Sequence, residues 1–161
     1  MPFDTILQRK IMGHFATGVT VVTTRVGDDL YGMTANAVTS LSLAPPLVLV
    51  CVERHAAMLE HLRTSKCYAM NILTEAQQDI STRFARKGPK EFSDLDWFPG
   101  ETGSPILRAS LAYVDCRVVD IASGGDHDVF IGEIFAGGCL NPSELPLLYY
   151  SGAYRTISSI K

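Results

Sequence analysis

One junction constrains this chain more than any other feature. Gly32-Met-Thr-Ala-Asn-Ala-Val-Thr-Ser-Leu-Ser-Leu-Ala-Pro-Pro-Leu-Val-Leu-Val-Cys-Val52 joins a polar, hydroxyl-rich segment to a wholly apolar one. Leu47 to Val52 is a short uninterrupted apolar run with β-branched Val48, Val50 and Val52, opened by Pro45-Pro46, and it predicts a strand buried on both faces. Upstream, Thr34, Asn36, Thr39, Ser40 and Ser42 offer hydroxyl and amide groups that donate hydrogen bonds without carrying charge, which suits a phosphorylated, planar ligand. The same residue types also serve loops by bonding the local backbone. Spacing alone leaves both readings open.

At 161 residues one domain spanning 1–161 is expected, large enough to bury a core without staples. A net charge of -3 and a pI near 5.7, with the 14 Lys and Arg scattered, argue against nucleic acid as a partner. No apolar run approaches the roughly 18 residues of a membrane span, and Met1-Pro2-Phe3-Asp4 has no signal-peptide character. A cytoplasmic protein with no membrane partner is expected. Cys51, Cys67, Cys116 and Cys139 are widely spaced within apolar segments and read as buried, reduced thiols, neither disulfides nor metal ligands.

Phe3, Ile6, Leu7, Ile11 and Phe15 recur at helical spacing behind Asp4, predicting an amphipathic N-terminal helix laid on a sheet. β-Branched Val19 to Thr24, the Gly27-Asp28-Asp29 turn and Leu30 to Ala35 form a hairpin that enters the opening junction. Met58, Leu59 and Leu62 mark a short helix that Arg63 and Lys66 close, and His55 and His61 beside it read as solvated or capping residues. Cys67 to Leu73 is a further strand. Thr74-Glu-Ala-Gln77 is a capping box that starts a helix with Ile80 and Phe84 inward, ended by Gly88-Pro89. Lys90 to Ser104, around Trp97 and Phe98, reads as a long surface loop. Leu111 to Asp120 alternates Ala112, Val114, Cys116 and Val118 against Tyr113, Asp115 and Arg117, a half-buried strand. Val129 to Leu140 is a long strand after a glycine-rich turn. Strands at regular spacing with inserted helices predict a mainly β, antiparallel barrel with peripheral helices, and no Gly-x-Gly-x-x-Gly indicates a Rossmann site.

Five segments together resemble the short-chain flavin reductases, the small partners of two-component flavin monooxygenases. They are Phe15-Ala-Thr-Gly-Val-Thr-Val-Val-Thr-Thr24, the opening junction, Ser81-Thr-Arg-Phe-Ala85, Gly124-Gly-Asp-His-Asp-Val-Phe-Ile-Gly-Glu-Ile134, and the ending Leu147-Leu-Tyr-Tyr150 with Gly152-Ala-Tyr-Arg155. The resemblance runs from Phe15 to Arg155. Ala37 departs from it, standing where many relatives carry Ser.

The resemblance implies a split β-barrel of Greek-key type, a homodimer that binds FMN or FAD, reduces it with NADH or NADPH, and supplies reduced flavin to a monooxygenase. It implies cofactor contacts from Met33, Thr34, Ala35, Asn36, Thr39, Ser40, Val50 and Cys51, then from Ser81, Arg83, Phe84 and Ala85, and finally from Tyr154 and Arg155. His127 is placed where the nicotinamide docks, as the catalytic residue that positions it and transfers no proton. Hydride transfer needs no acid–base pair from the protein, whose task is to stack, orient and desolvate. Backbone N–H groups near Asn36, or cationic Arg83, would stabilise the anionic reduced flavin. Asp126 and Asp128, turned away from His127 by strand alternation, do not make a metal site with it. The alternatives are a flavin-binding electron carrier or storage protein without turnover, and a non-flavin barrel enzyme using Ser, His127 and Asp126, for which the Gly-x-Ser-x-Gly elbow is missing.

Overall fold

The computed structural model describes residues 3–157; Met1 and Pro2 of the opening tetrapeptide, and residues 158–161, lie outside the described residues. Helix α1 (Thr5–Gly13) leads through the short β1 (Thr17–Gly18) into β2 (Thr20–Val26), β3 (Asp29–Ala35), β4 (Val38–Leu43) and β5 (Pro46–Glu53). Helix α2 (Met58–Ser65), strand β6 (Cys67–Ile72), a 3-10 turn (Glu75–Gln77) and α3 (Gln78–Ala85) follow. The chain ends with β7 (Trp97–Pro99), β8 (Pro105–Leu107), the long pair β9 (Ala112–Gly124) and β10 (His127–Cys139), then β11 (Leu148–Tyr150) and β12 (Ala153–Arg155).

Seven strands form one antiparallel sheet in the order β3-β2-β6-β9-β10-β5-β4. Its edge strands β3 and β4 are consecutive in the chain yet unpaired with each other, so the sheet curls into a barrel with a split between them. One apolar cluster draws residues from all seven strands and α2, among them Val22, Ala35, Val38, Val50, Tyr68, Cys116 and Phe130. That common filling is the expected split antiparallel barrel. Interior residues of this kind hold it together, each large-to-small truncation costing roughly 2–5 kcal/mol.

Turn chemistry behaves as the residues predict. Asp4 caps α1, its carboxylate accepting from the Ile6 amide at 2.9 Å, and the capping box between Thr74 and Gln77 is present. The β9–β10 turn places Gly125 at φ +71, a left-handed conformation that costs glycine little. No helix among the described residues is long and apolar enough to cross a membrane.

Burial departs from the sequence reading in several places, each because a neighbour distant in sequence covers or fails to cover a face. The strand buried on both faces is β2, not β5: Val22 points into the barrel while Val19 and Val21 pack outside it against Leu73, Phe84 and Leu147. In β5, Val48, Val50 and Val52 are buried and Leu47, Leu49 and Cys51 only half-buried. Helix α1 forms but buries no residue, so it is not laid on its own sheet. Its end is tied instead to the C-terminal hairpin, where the Ser151 amide donates to the Gly13 carbonyl at 2.8 Å. Asp115, expected on the wet face of β9, is wholly buried because the turn before β8 covers it, Thr102 donating from its amide at 2.8 Å and its hydroxyl at 2.5 Å. The expected loop from Lys90 to Ser104 contains β7, which pairs with β8. Helix α3 stops at Ala85, ahead of Gly88-Pro89. The ending from Leu147 to Arg155 forms a hairpin, β11 with β12. All four cysteines are free thiols, as expected, but only Cys116 is buried; Cys139 is exposed, and Cys51 and Cys67 are in between.

Candidate active site

The split in the barrel opens a cleft of about 560 Å³. One wall is the end of β3 and the link after it, Met33 to Ala37; the facing wall is Cys51 and Glu53 of β5 with His127 at the start of β10. Ala56, Ala57 and Met58 at the entry to α2 supply an apolar base, and Phe84 and Ala85 at the end of α3 close the side. Gly32 makes that closure possible. A Cβ there would meet the Phe84 ring at 2.6 and 2.7 Å, so only glycine lets the buried ring lie against β3.

Of the sequence-predicted residues the cleft therefore unites Met33, Thr34, Ala35, Asn36, Cys51, Phe84, Ala85 and His127. The others lie elsewhere. Thr39 and Ser40 are exposed on β4, beyond the link that forms the wall. Val50 is fully buried inside the barrel because strand alternation turns it away from its neighbour Cys51. Ser81 is buried behind the wall, its carbonyl accepting from the Thr34 hydroxyl at 2.5 Å and its hydroxyl 2.8 Å from that of Tyr154. Ser81, Tyr154 and Thr34 thus brace β3 against α3, and Thr34 spends its hydroxyl on the protein. Arg83 points outward into a bidentate pair with Asp94, at 2.7 and 2.8 Å. Arg155 is exposed on β12 and does not reach the cleft.

His127 is fixed from one side. Its Nδ1 lies 2.7 Å from Asp126 Oδ1, and that hydrogen bond holds the Asp126 carboxyl below the usual carboxylate range. An ionised carboxylate only accepts, so Nδ1 carries the proton and Nε2 is left for a ligand. Asp126 sits in the turn rather than on the strand, which is why it reaches His127 against the alternation argument. Asp128 does face the other way: nearly buried, it accepts from Arg54 Nε at 2.9 Å and Arg63 Nη2 at 2.6 Å. The Arg54 bond, reinforced by Arg63, holds its carboxyl below the ordinary value. Arg54 also donates from its amide to the Asp126 carbonyl at 3.0 Å. The turn carrying His127 is thereby tied to β5 and α2. Among the described residues no three metal-ligating side chains converge.

Sequence reading missed the cations at the mouth. Arg86, Lys87 and Lys90 line the cleft, as does His55, read above as solvated or capping. The signal was present as the tight cluster Arg86-Lys-Gly-Pro-Lys90 directly after the Phe84-Ala85 pair, hidden by treating the basic residues as scattered. Apolar walls with cations at one end fit a planar heterocycle that carries a phosphate, one end desolvated and the other paired with charge.

The profile of the flavin reductase like domain matches residues 12–158. The chain belongs to this family. It is 40% identical over 95% of its length to the reductase subunit HsaB of a flavin-dependent monooxygenase from Mycobacterium tuberculosis, covering 82% of that protein. Among solved structures, flavin reductase PheA2 superimposes with a TM-score of 0.89 at 41% identity, over 98% of this chain and all of the other. The NADH:FAD oxidoreductase SgcE6 of Streptomyces globisporus, in complex with NAD and FAD fragments, does so with a TM-score of 0.90 at 36% identity, over 96% of this chain and 93% of the other.

Proposed function

We infer that this flavin reductase-like chain is an NAD(P)H:flavin oxidoreductase that reduces FMN or FAD and hands the reduced flavin to a partner monooxygenase. The observation that carries the reading is the cleft itself, where an apolar slot beside Phe84 and Met33 lies between a carboxylate-anchored His127 and three cations.

When bound, the two nucleotides supply the redox chemistry, the reduced nicotinamide giving a hydride to the flavin ring. The protein's part is placement. Phe84, held by Gly32 and buried in the cluster outside β2, gives the slot a rigid side. Met33, Ala35, Ala57 and Met58 exclude water from the remaining walls. Arg86 and Lys87 at the mouth pair with phosphate, which sets the direction in which a nucleotide enters. His127 offers Nε2 to the nicotinamide nucleotide from the opposite wall, and the Asp126 bond keeps it from turning. Asn36, exposed and bonded to Thr17 Oγ1 at 3.2 Å, holds the link between β3 and β4 at the cleft edge.

The active unit is a homodimer in the cytoplasm. Ile6, Phe15 and Leu43 are 77, 70 and 90% exposed in the single chain. With Ile11, Met12 and Leu41 they leave large apolar side chains bare on α1, just after it and on β4. A second copy covers them.

Mixing the protein with FMN or FAD and excess NADH, and following NADH absorbance, tests the reading. Catalytic loss of many equivalents of NADH per protein is expected. A single stoichiometric reduction would instead make the chain an electron carrier.

A further inference from the structure

Asp128 does not line the cleft, yet two of the cleft's walls depend on it. Its side chain is only 6% exposed. Each carboxylate oxygen serves one arginine: Oδ1 accepts from Arg54 Nε at 2.9 Å, and Oδ2 from Arg63 Nη2 at 2.6 Å. Those arginines bracket one stretch of chain. Arg54 stands just past the end of β5 and Arg63 in the last turn of α2, and between them lie His55, Ala56, Ala57 and Met58, which line the cleft and include its apolar base. One carboxylate thus clamps both ends of the segment whose middle is the base of the slot.

The clamp belongs to the strand that presents His127. Asp128 is the next residue, turned inward as Phe130 is, while His127 faces the cleft. Arg54 grips the same turn at two further points, its amide donating to the Asp126 carbonyl at 3.0 Å and its Nη2 to Ser123 Oγ at 2.5 Å. Ser123 is the cross-strand partner of Asp128 on β9. Slot base and histidine are therefore both referred to one carboxylate. Packing does not achieve this alone. Met58, Leu59 and Leu62 bury α2 in the barrel cluster, but apolar contact is non-directional and leaves room for small slides and rotations. The start of α2 has no side-chain cap to fix it. A buried ion pair adds little net stability over apolar residues of the same size, whereas its charge-assisted bonds are short and directional. Direction is what this one supplies.

We propose that Asp128 is a positioning residue for the reaction, acting through Arg54 and Arg63 to set the separation between the slot base and His127. The proposal rests on the flavin reductase reading above. Hydride transfer requires the reacting atoms within about 3–3.5 Å, and an error of about 1 Å costs on the order of a hundredfold in rate. With the clamp broken, both nucleotides bind and react slowly.

Anaerobic stopped-flow reduction of flavin by NADH, at saturating concentrations of both, tests this on Asp128→Asn, Arg63→Gln and the double variant. Asp96→Asn is the control, since its ion pair with Arg108 lies outside the cleft. Titrations with flavin and with NAD+ and a thermal unfolding curve accompany each variant. Asp128→Asn is expected to slow the reduction step roughly tenfold or more with both affinities nearly unchanged. Arg63→Gln should slow it by a smaller factor, because Arg54 remains on the carboxylate. The double variant should be no slower than Asp128→Asn, since the two changes break one contact. Asp96→Asn should keep the parent's rate. A folded Asp128→Asn protein with a lower Tm and the parent's reduction rate would overturn the proposal and leave the carboxylate a purely structural role. So would a loss confined to affinity, a double variant slowed by the product of the single factors, or equal slowing by Asp96→Asn. If Asp128→Asn does not fold, Arg63→Gln decides, and the parent's rate there would refute the clamp. A parent protein that reduces no flavin with NADH would sink the underlying function instead.

Discussion

Replacing Gly32 by alanine should damage the cleft through a contact that involves no polar group. The added Cβ would stand 2.6 Å from Phe84 Cε1, 2.7 Å from Cδ1 and 3.4 Å from Phe92 Cζ. The first two lie about 1 Å inside ordinary carbon contact. Phe84 is only 2% exposed and meets Phe92 edge-on with ring centroids 5.2 Å apart, so the ring can retreat only by displacing Phe92 or by moving into the cleft that it lines. Overpacking of this kind costs roughly 1–3 kcal/mol. At this chain length that corresponds to a fall in Tm of roughly 2–12 °C. Whichever way the ring moves, it alters the slot wall, so flavin affinity should fall with stability. Gly32→Ala combined with Phe84→Leu provides the control, because a smaller side chain relieves the clash; the two changes should cost less together than the sum of their separate costs. Thermal unfolding and flavin titration of the three variants measure this. A Gly32→Ala protein with unchanged Tm and unchanged flavin affinity would refute the packing argument, and additive costs would show that the two residues do not meet.

His127→Ala is expected to raise the KM for NADH and lower kcat/KM by the roughly 1–3 kcal/mol of one polar contact while sparing flavin affinity; loss of flavin with NADH dependence intact in steady-state kinetics would reverse the assignment. Asn36 lines the cleft and Ser40 does not, so Asn36→Leu should weaken flavin binding and Ser40→Leu should leave it alone, as a titration of both would show. Asp128 has a lowered folded-state pKa, so its contribution to stability is present above the unfolded carboxylate value of about 3.9 and is lost as pH falls through the folded one. Asp128→Asn should therefore destabilise the protein at neutral pH and show little difference from the parent in the most acidic urea titrations. Ile11→Glu places charge on the bare face of α1 and should shift sedimentation at micromolar concentration toward the monomer, a result that an unchanged dimer would contradict.

What the sequence determined by itself was whatever depends on residues close together in the chain. The Asp4 cap, the Thr74–Gln77 capping box, the Gly27 and Gly125 turns and the β-branched runs each act over a few positions. Their hydrogen bonds and dihedral preferences are therefore legible in order, and so is the antiparallel architecture they add up to. The motifs flanking the cleft were legible for the same reason, and eight of the residues they name line one cleft. Only tertiary structure decided which faces are covered and where long side chains turn. The burial of Asp115 depends on Thr102 in a distant turn, that of Val21 on Leu73, Phe84 and Leu147, and the bareness of α1 on having no part of its own sheet beneath it. Arg83, one residue from Phe84, leaves the slot because Asp94 offers two oxygens outside it. A charged side chain on a flexible stem takes the partner that the fold brings near, and neither periodicity nor spacing records which partner that is.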